Sequence, residues 1–173
     1  MKTFDFGSDT TAAFFVDSGL AYSGSSTTSL SGLFHLEGAA TSVLANGATH
    51  PDKTVSSGAI ALDFAITSGA VGLPYTSKMQ TLRIESGSSD GTSQGKPKRI
   101  HDVTLRFHET VGAEVGTDAA NADRIFFRDS SMDMDTAVPL FTGDKDIEFP
   151  GGFEEGDRIY VQQTQPLPMT VLA

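Results

Sequence analysis

The sequence predicts an all-β protein, with antiparallel strands forming a small β-barrel or sandwich, long loops and little helix. Three observations carry this. Period-two alternation of apolar and polar residues recurs along the chain. Glycine is frequent, at 18 residues, and Ser and Thr are abundant, so turn signals fall at short intervals. No stretch repeats apolar residues at the i, i+3, i+4, i+7 spacing of an amphipathic helix.

The first specific signal is a hairpin. Val43-Leu44-Ala45 runs into Asn46-Gly47, two residues that tolerate the positive φ of a type I′ turn. His50-Pro51-Asp52 is expected to end the returning strand, because proline cannot donate to a ladder. Ile60, Leu62, Phe64 and Ile66 then alternate with Ala61, Asp63 and Ala65, the pattern of a half-buried strand. Gly58, Gly69 and Gly72 punctuate this region. Glu85 to Lys98 (ESGSSDGTSQGKPK) is too polar and glycine-rich to pack and reads as a long exposed loop. It suggests a first β-rich, barrel-like part over 1–85, an exposed loop over 86–98 and a second β-rich part over 99–173, or one continuous domain.

The clearest strand covers Ile100 to His108, with Val103, Leu105 and Phe107 on one face and Asp102, Thr104, Arg106 and His108 on the other. Gly116 to Asp123 reads as a second loop with room for one helical turn. Ile147 and Phe149 alternate with Asp146 and Glu148, and Pro150-Gly151-Gly152 marks a turn. Ile159 and Val161 alternate with Arg158, Tyr160 and Gln162, which predicts a last half-buried strand.

Composition narrows the function. A chain of 173 residues can bury roughly 70% of the surface its unfolded form exposes, so it needs no staple. The absence of cysteine excludes disulfides, thiolate metal sites and thiol nucleophiles. Acids outnumber bases 22 to 12, for a net charge of -10. The one basic cluster in the sequence is Lys96, Lys98 and Arg99, so specific nucleic-acid binding is not expected. No apolar run approaches the ~20 residues of a membrane span. Met1 to Phe6 lacks the apolar core of a signal peptide. The expectation is a soluble chain without a membrane anchor, not exported by the usual route.

Candidate chemistry is sparse. His35, His50, His101 and His108 are spread along the chain, and surface or hydrogen-bonded histidine is the default against a catalytic or metal role. His101 and His108 differ by seven, which places them on opposite sides of one strand. Asp129, Asp133 and Asp135 surround Met132 and Met134, and Asp144, Asp146 and Glu148 fall on alternate positions. An adventitious cation site is one reading of these acids; a solvated strand edge that discourages aggregation is the better one. No G-x-S-x-G elbow occurs. Gly87 to Gly95 is no phosphate loop, since Lys96 is followed by Pro97. Carboxylate pairs of the glycosidase kind are too numerous to be specific. No residue is therefore assigned a catalytic, cofactor-binding or metal role, and no cofactor and no enzymatic activity are expected. Phe14-Phe15 and Phe126-Phe127 each should place one ring outside the core, as an interface or a boundary residue. The lack of Trp argues against a sugar-stacking platform.

Several phrases go beyond fold class. Phe15 to Gly24 (FVDSGLAYSG), Ser31 to Gly38 (SGLFHLEG) and Val43 to Gly47 (VLANG) occur in that order. Val71 to Tyr75 (VGLPY), Gln94 to Ile100 (QGKPKRI), Pro139 to Asp144 (PLFTGD) and Gln165 to Ala173 (QPLPMTVLA) follow. Over roughly residues 14 to 173 the series resembles the C-terminal part of tail tubular or nozzle-like proteins of tailed double-stranded DNA bacteriophages. The family's proteins are longer, so the resemblance implies an excised domain or a reduced relative. It also implies a structural protein of the virion tail, made in the host cytoplasm. Its partners would be other copies in a ring, six by the resemblance, and neighbouring tail proteins, with DNA passing and not specifically bound. Some relatives are described as holding a barrel like that of ubiquitin-activating enzymes, but no nucleotide loop or catalytic cysteine exists here. The alternative is a receptor-binding or adhesion module at the tail tip, in which loop 86–98 and the exposed Phe residues would matter.

Overall fold

A computed structural model describes residues 10–85, 95–153 and 158–172. Ten strands in antiparallel pairs make up the described fold, with two single 3₁₀ turns at Thr10–Ala12 and Phe34–Leu36. The first four strands are β1 (Asp17–Ser31), β2 (Ala40–Ala45), β3 (Ala48–Thr54) and β4 (Ala59–Leu73). The others are β5 (Ser77–Gln80), β6 (Asp102–Thr110), β7 (Ala113–Gly116), β8 (Ala122–Ile125), β9 (Phe141–Glu148) and β10 (Tyr160–Gln163). They form a sheet of order β1-β4-β2-β3, a second of order β5-β10-β7-β8, and the pair β6-β9. No sheet closes into a barrel among the described residues. Most of the expected loop lies outside the described residues, which resume at Gly95.

The first sheet curls over one core, in which Leu30 of β1, Val43 of β2 and Ile60, Leu62, Ile66 and Val71 of β4 meet Leu33 and Leu36 of the 3₁₀ turn. The predicted hairpin is present: Asn46 and Gly47 have φ of 49° and 81°, and Ala45 pairs with Ala48. Asn46 does more than turn. Its Oδ1 accepts the backbone N–H groups of Thr67 (3.0 Å) and Ser68 (3.1 Å), tying the turn to β4.

Three local expectations are corrected here. β3 continues through Pro51 to Thr54. It is an edge strand, and its register with β2 slips between Thr41 and Val43, so the proline sits where a ladder bond is not needed. Gly69 and Gly72 do not interrupt β4 but lie inside it. A Cβ on Gly72 would come within 2.6 Å of the Asp17 carbonyl oxygen, so glycine here permits close strand approach. Phe64 breaks the expected alternation and is 46% exposed. It lies where the β1–β4 register slips, between Thr27↔Ile66 and Ser29↔Ala61.

β6 follows its pattern: Val103, Leu105 and Phe107 are buried and the residues between them exposed. These side chains share a core with Ala113, Val115, Ile125 and Val161, so the β6-β9 pair packs face to face on the second sheet. Residues 170–172 cover the other edge of β6 through His108 N–H to the Thr170 carbonyl and Leu172 N–H to the Arg106 carbonyl. The expected loop at Gly116–Asp123 is shorter: Gly116, Ala122 and Asp123 belong to paired strands. Asp118 caps the turn by accepting N–H groups of Ala120 and Asn121, and no helical turn forms. β10 is the other departure. Tyr160, Val161, Gln162 and Gln163 are all buried, since the strand is central in its sheet and covered on both faces.

A third cluster joins the halves. Ala13 and Val16, Leu44 and Ala70 from the first sheet, and Val111 and Leu167 from the second half pack together. β2 and β4 thus present one face to each core, which explains why Thr41 to Ala45 is buried without interruption.

Candidate functional site

The four histidines do not converge. His35 is exposed, with Nε2 2.7 Å from the Ser18 carbonyl, and His101 and His108 are exposed at the start and within β6. His50 is the buried one, 5% exposed. Its Nδ1 donates to the Pro51 carbonyl (2.7 Å) and its Nε2 accepts the Asp63 N–H (3.0 Å). The imidazole is therefore a structural bridge between β3 and the first half of β4. Lys53 donates to Asp63 Oδ1 (2.6 Å) across the same seam. That bond, more than any other influence, holds the Asp63 carboxyl below its ordinary range. Phe64 shields the ring, its centroid 5.1 Å from that of His50. Both imidazole nitrogens are engaged by the backbone.

The acids also separate. Asp144 makes a bidentate pair with Arg106 (2.6 and 2.7 Å), which lowers the carboxyl's pKa. Asp146 accepts from Thr104 Oγ1 (2.6 Å). Glu148 faces Asp102 across the register, a like-charge pair on an exposed face. Asp129 caps its own loop, accepting the Ser131 N–H (2.8 Å) and hydroxyl (2.5 Å), and these bonds depress its pKa. Arg128 donates to the Asp133 and Thr136 carbonyls and so gives the 129–136 loop a defined shape. Among the described residues no group of three or more His, Asp or Glu could hold a metal ion.

The Phe pairs behave differently. Phe126 is 76% exposed while Phe127 is buried against Phe107, as expected. Phe14 and Phe15 are both half-buried against the joining cluster, because this segment lies between the two cores. Phe126 borders a groove of about 290 Å³ that also touches Arg124, Arg128, Val138 and Leu167.

What the fold does bring together is strand edge that has no ladder partner among the described residues. β1 is an outer strand of 15 residues, and Asp17 is its one charged residue; it has no proline. Native edges are ordinarily blunted by charge, proline or cover. β5 and β8 form the two edges of the second sheet. The sequence signal for the long edge existed in retrospect: Ser18 to Ser31 contains no charged residue. No family model matches the chain, and no curated protein matches it.

Proposed function

We propose that this chain is a structural, non-enzymatic component of a bacteriophage tail, a subunit or domain of a nozzle or tube ring that forms or decorates the DNA-delivery conduit. The reading rests on the ordered series of phrases between residues 14 and 173. One structural observation supports it: a compact antiparallel body leaves a long strand edge with a single charged residue, and the two edges of its second sheet, without ladder partners among the described residues. Such edges suit repeated association of identical copies. The exposed acids Asp144, Asp146 and Glu148 and the net charge of -10 suit a wall past which DNA slides, because acidic surface releases no counterions to phosphate.

The test is the native mass of the purified full chain over a range of concentrations, with electron microscopy of any oligomer. Closed rings with a central opening are expected. A strict monomer at every concentration overturns the ring reading. It shifts weight to a receptor-binding module at the tail tip, which the Phe126 groove with its two arginines favours. Binding of the chain to host-surface glycans would then decide for that second reading.

A further inference from the structure

Pairing of β5 with β10 assembles a basic edge that the sequence scatters over 80 positions. Lys78 lies on β5 opposite Gln162. Arg83 and Arg158 line one open groove with Leu82, Glu85 and Gly95. Lys98 donates to the Ile84 carbonyl (2.8 Å), and Lys96 and Arg99 flank it in the sequence. These six are half of the chain's 12 bases. Five are exposed and Lys98 is half-buried. Among the described residues none of the six is ion-paired. Glu154, Glu155 and Asp157, which precede Arg158 in sequence, lie outside the described residues. Apolar side chains are exposed near the charges: Leu82 is 88% exposed and Ile84 is exposed two residues on, while Met79 is exposed on the face of β5 opposite to Lys78.

The loop that follows β8, the opposite edge strand of the same sheet, carries the complementary charge. β8 leads into the loop at 129–135, where Asp129, Asp133 and Asp135 are exposed around Met134, itself 83% exposed. Arg128 and Ser131 hold this loop in shape through the bonds described above, so little ordering is needed on contact. A basic edge with protruding Leu82 stands on one edge strand of the sheet, and an acidic loop with protruding Met134 follows the other edge strand in the chain.

We infer that the Asp129–Asp135 loop of one copy docks on the Lys78, Arg83 and Arg158 edge of the next, a heterologous contact between identical chains. The inference rests on the ring reading above and names the surfaces that would make the ring. A nucleic acid is the weaker occupant of the basic edge, because phosphate contacts would leave Leu82, Met79 and Ile84 uncovered.

Charge exchange tests it. The double variant Arg83→Glu/Arg158→Glu and the double variant Asp133→Lys/Asp135→Lys are each made in the full chain, with circular dichroism to establish that both fold. Each alone is expected to self-associate roughly 100-fold more weakly than the wild type, because like charges then face each other. Mixed in equal amounts, the two should assemble again in alternation, and sedimentation velocity would read the recovery. If both variants assemble as the wild type does, the docking surfaces are wrong while the ring reading stands. If each dissociates and the mixture does not recover, the specific loop-to-edge pairing is wrong. A wild-type monomer sinks the ring reading and the docking together. A short DNA duplex that binds the wild type and not Arg83→Glu/Arg158→Glu, with self-association unchanged, would make the edge a polyanion site instead.

Discussion

The two four-stranded sheets are built from the chain in different ways. Every strand of the first lies between Asp17 and Leu73, and two of its neighbours are joined by a two-residue turn. The second begins at Ser77, and its second strand in space is the last in sequence, Tyr160–Gln163. One sheet is mostly the product of local pairing. The other depends on a contact across most of the second half, whose loop-closure entropy must be offset by burial. The burial pattern agrees: β10 is covered on both faces and fixed by its side chains as well as its ladder. Gln162 donates to Glu114 (2.7 Å), and Gln163 donates to the carbonyls of Val111 and Gly112.

The strongest way to break the comparison is Phe107→Ala. Phe107 is fully buried and meets Phe127 edge to face at 5.5 Å. Its truncation is expected to destabilise the protein by about 3–5 kcal/mol in chemical denaturation. Hydrogen exchange should then accelerate in β6, β9 and β10 more than in β1 and β4. Equal acceleration in both sheets would mean that the joining cluster makes them one cooperative unit.

A smaller effect is expected on the local sheet. Asn46→Ala removes a residue suited to positive φ and the acceptor of two β4 N–H groups. The expected loss is about 1–3 kcal/mol, read as a lower denaturation midpoint. Asn46→Asp keeps both the turn and an acceptor and should lose less. If the two substitutions are equivalent, the side-chain bonds to Thr67 and Ser68 contribute nothing.

The smallest effect is electrostatic and appears on both sides. Lys53 lowers the Asp63 pKa in the first sheet, and Arg106 lowers that of Asp144 in the β6-β9 pair. A carboxyl depressed in the folded state stabilises it at pH above the ordinary value of 3.8. That contribution fades as pH falls below 3.8 through the native value. Asp63→Asn and Asp144→Asn should each flatten the acid side of the melting-temperature profile. The change should be slight and salt-sensitive, because both pairs are solvated. An unchanged profile in Asp63→Asn would show that the Lys53 pair does not persist in solution.

What was legible in the sequence follows the same division. The Asn46-Gly47 hairpin and the two faces of β6 are local patterns, and both appear as read. β10 departs from its pattern because alternation reports burial of one face, while Tyr160 and Gln162 are buried on the other through polar partners of their own. Pro51 signals a strand end locally, and it lies within β3 because its edge position depends on strand order, which no local pattern holds. The basic edge was half visible as Lys96, Lys98 and Arg99. Arg83 and Arg158 join it through the β5–β10 pairing, and no spacing rule relates them. His50 illustrates the remaining limit: nothing about an isolated histidine next to a proline says that its ring will bridge two strands.

The late position of β10 also sets the order of events at the ribosome. Ile159 donates its N–H to Thr81, a partner synthesised 78 residues earlier. At about 5–20 residues per second, that interval lasts roughly 4–16 s. Through it the first sheet has all its strands, whereas β5 waits without the strand it pairs with. Translation speed between these two segments, and any chaperone that attends the nascent chain, would therefore govern how much of the protein reaches its native fold.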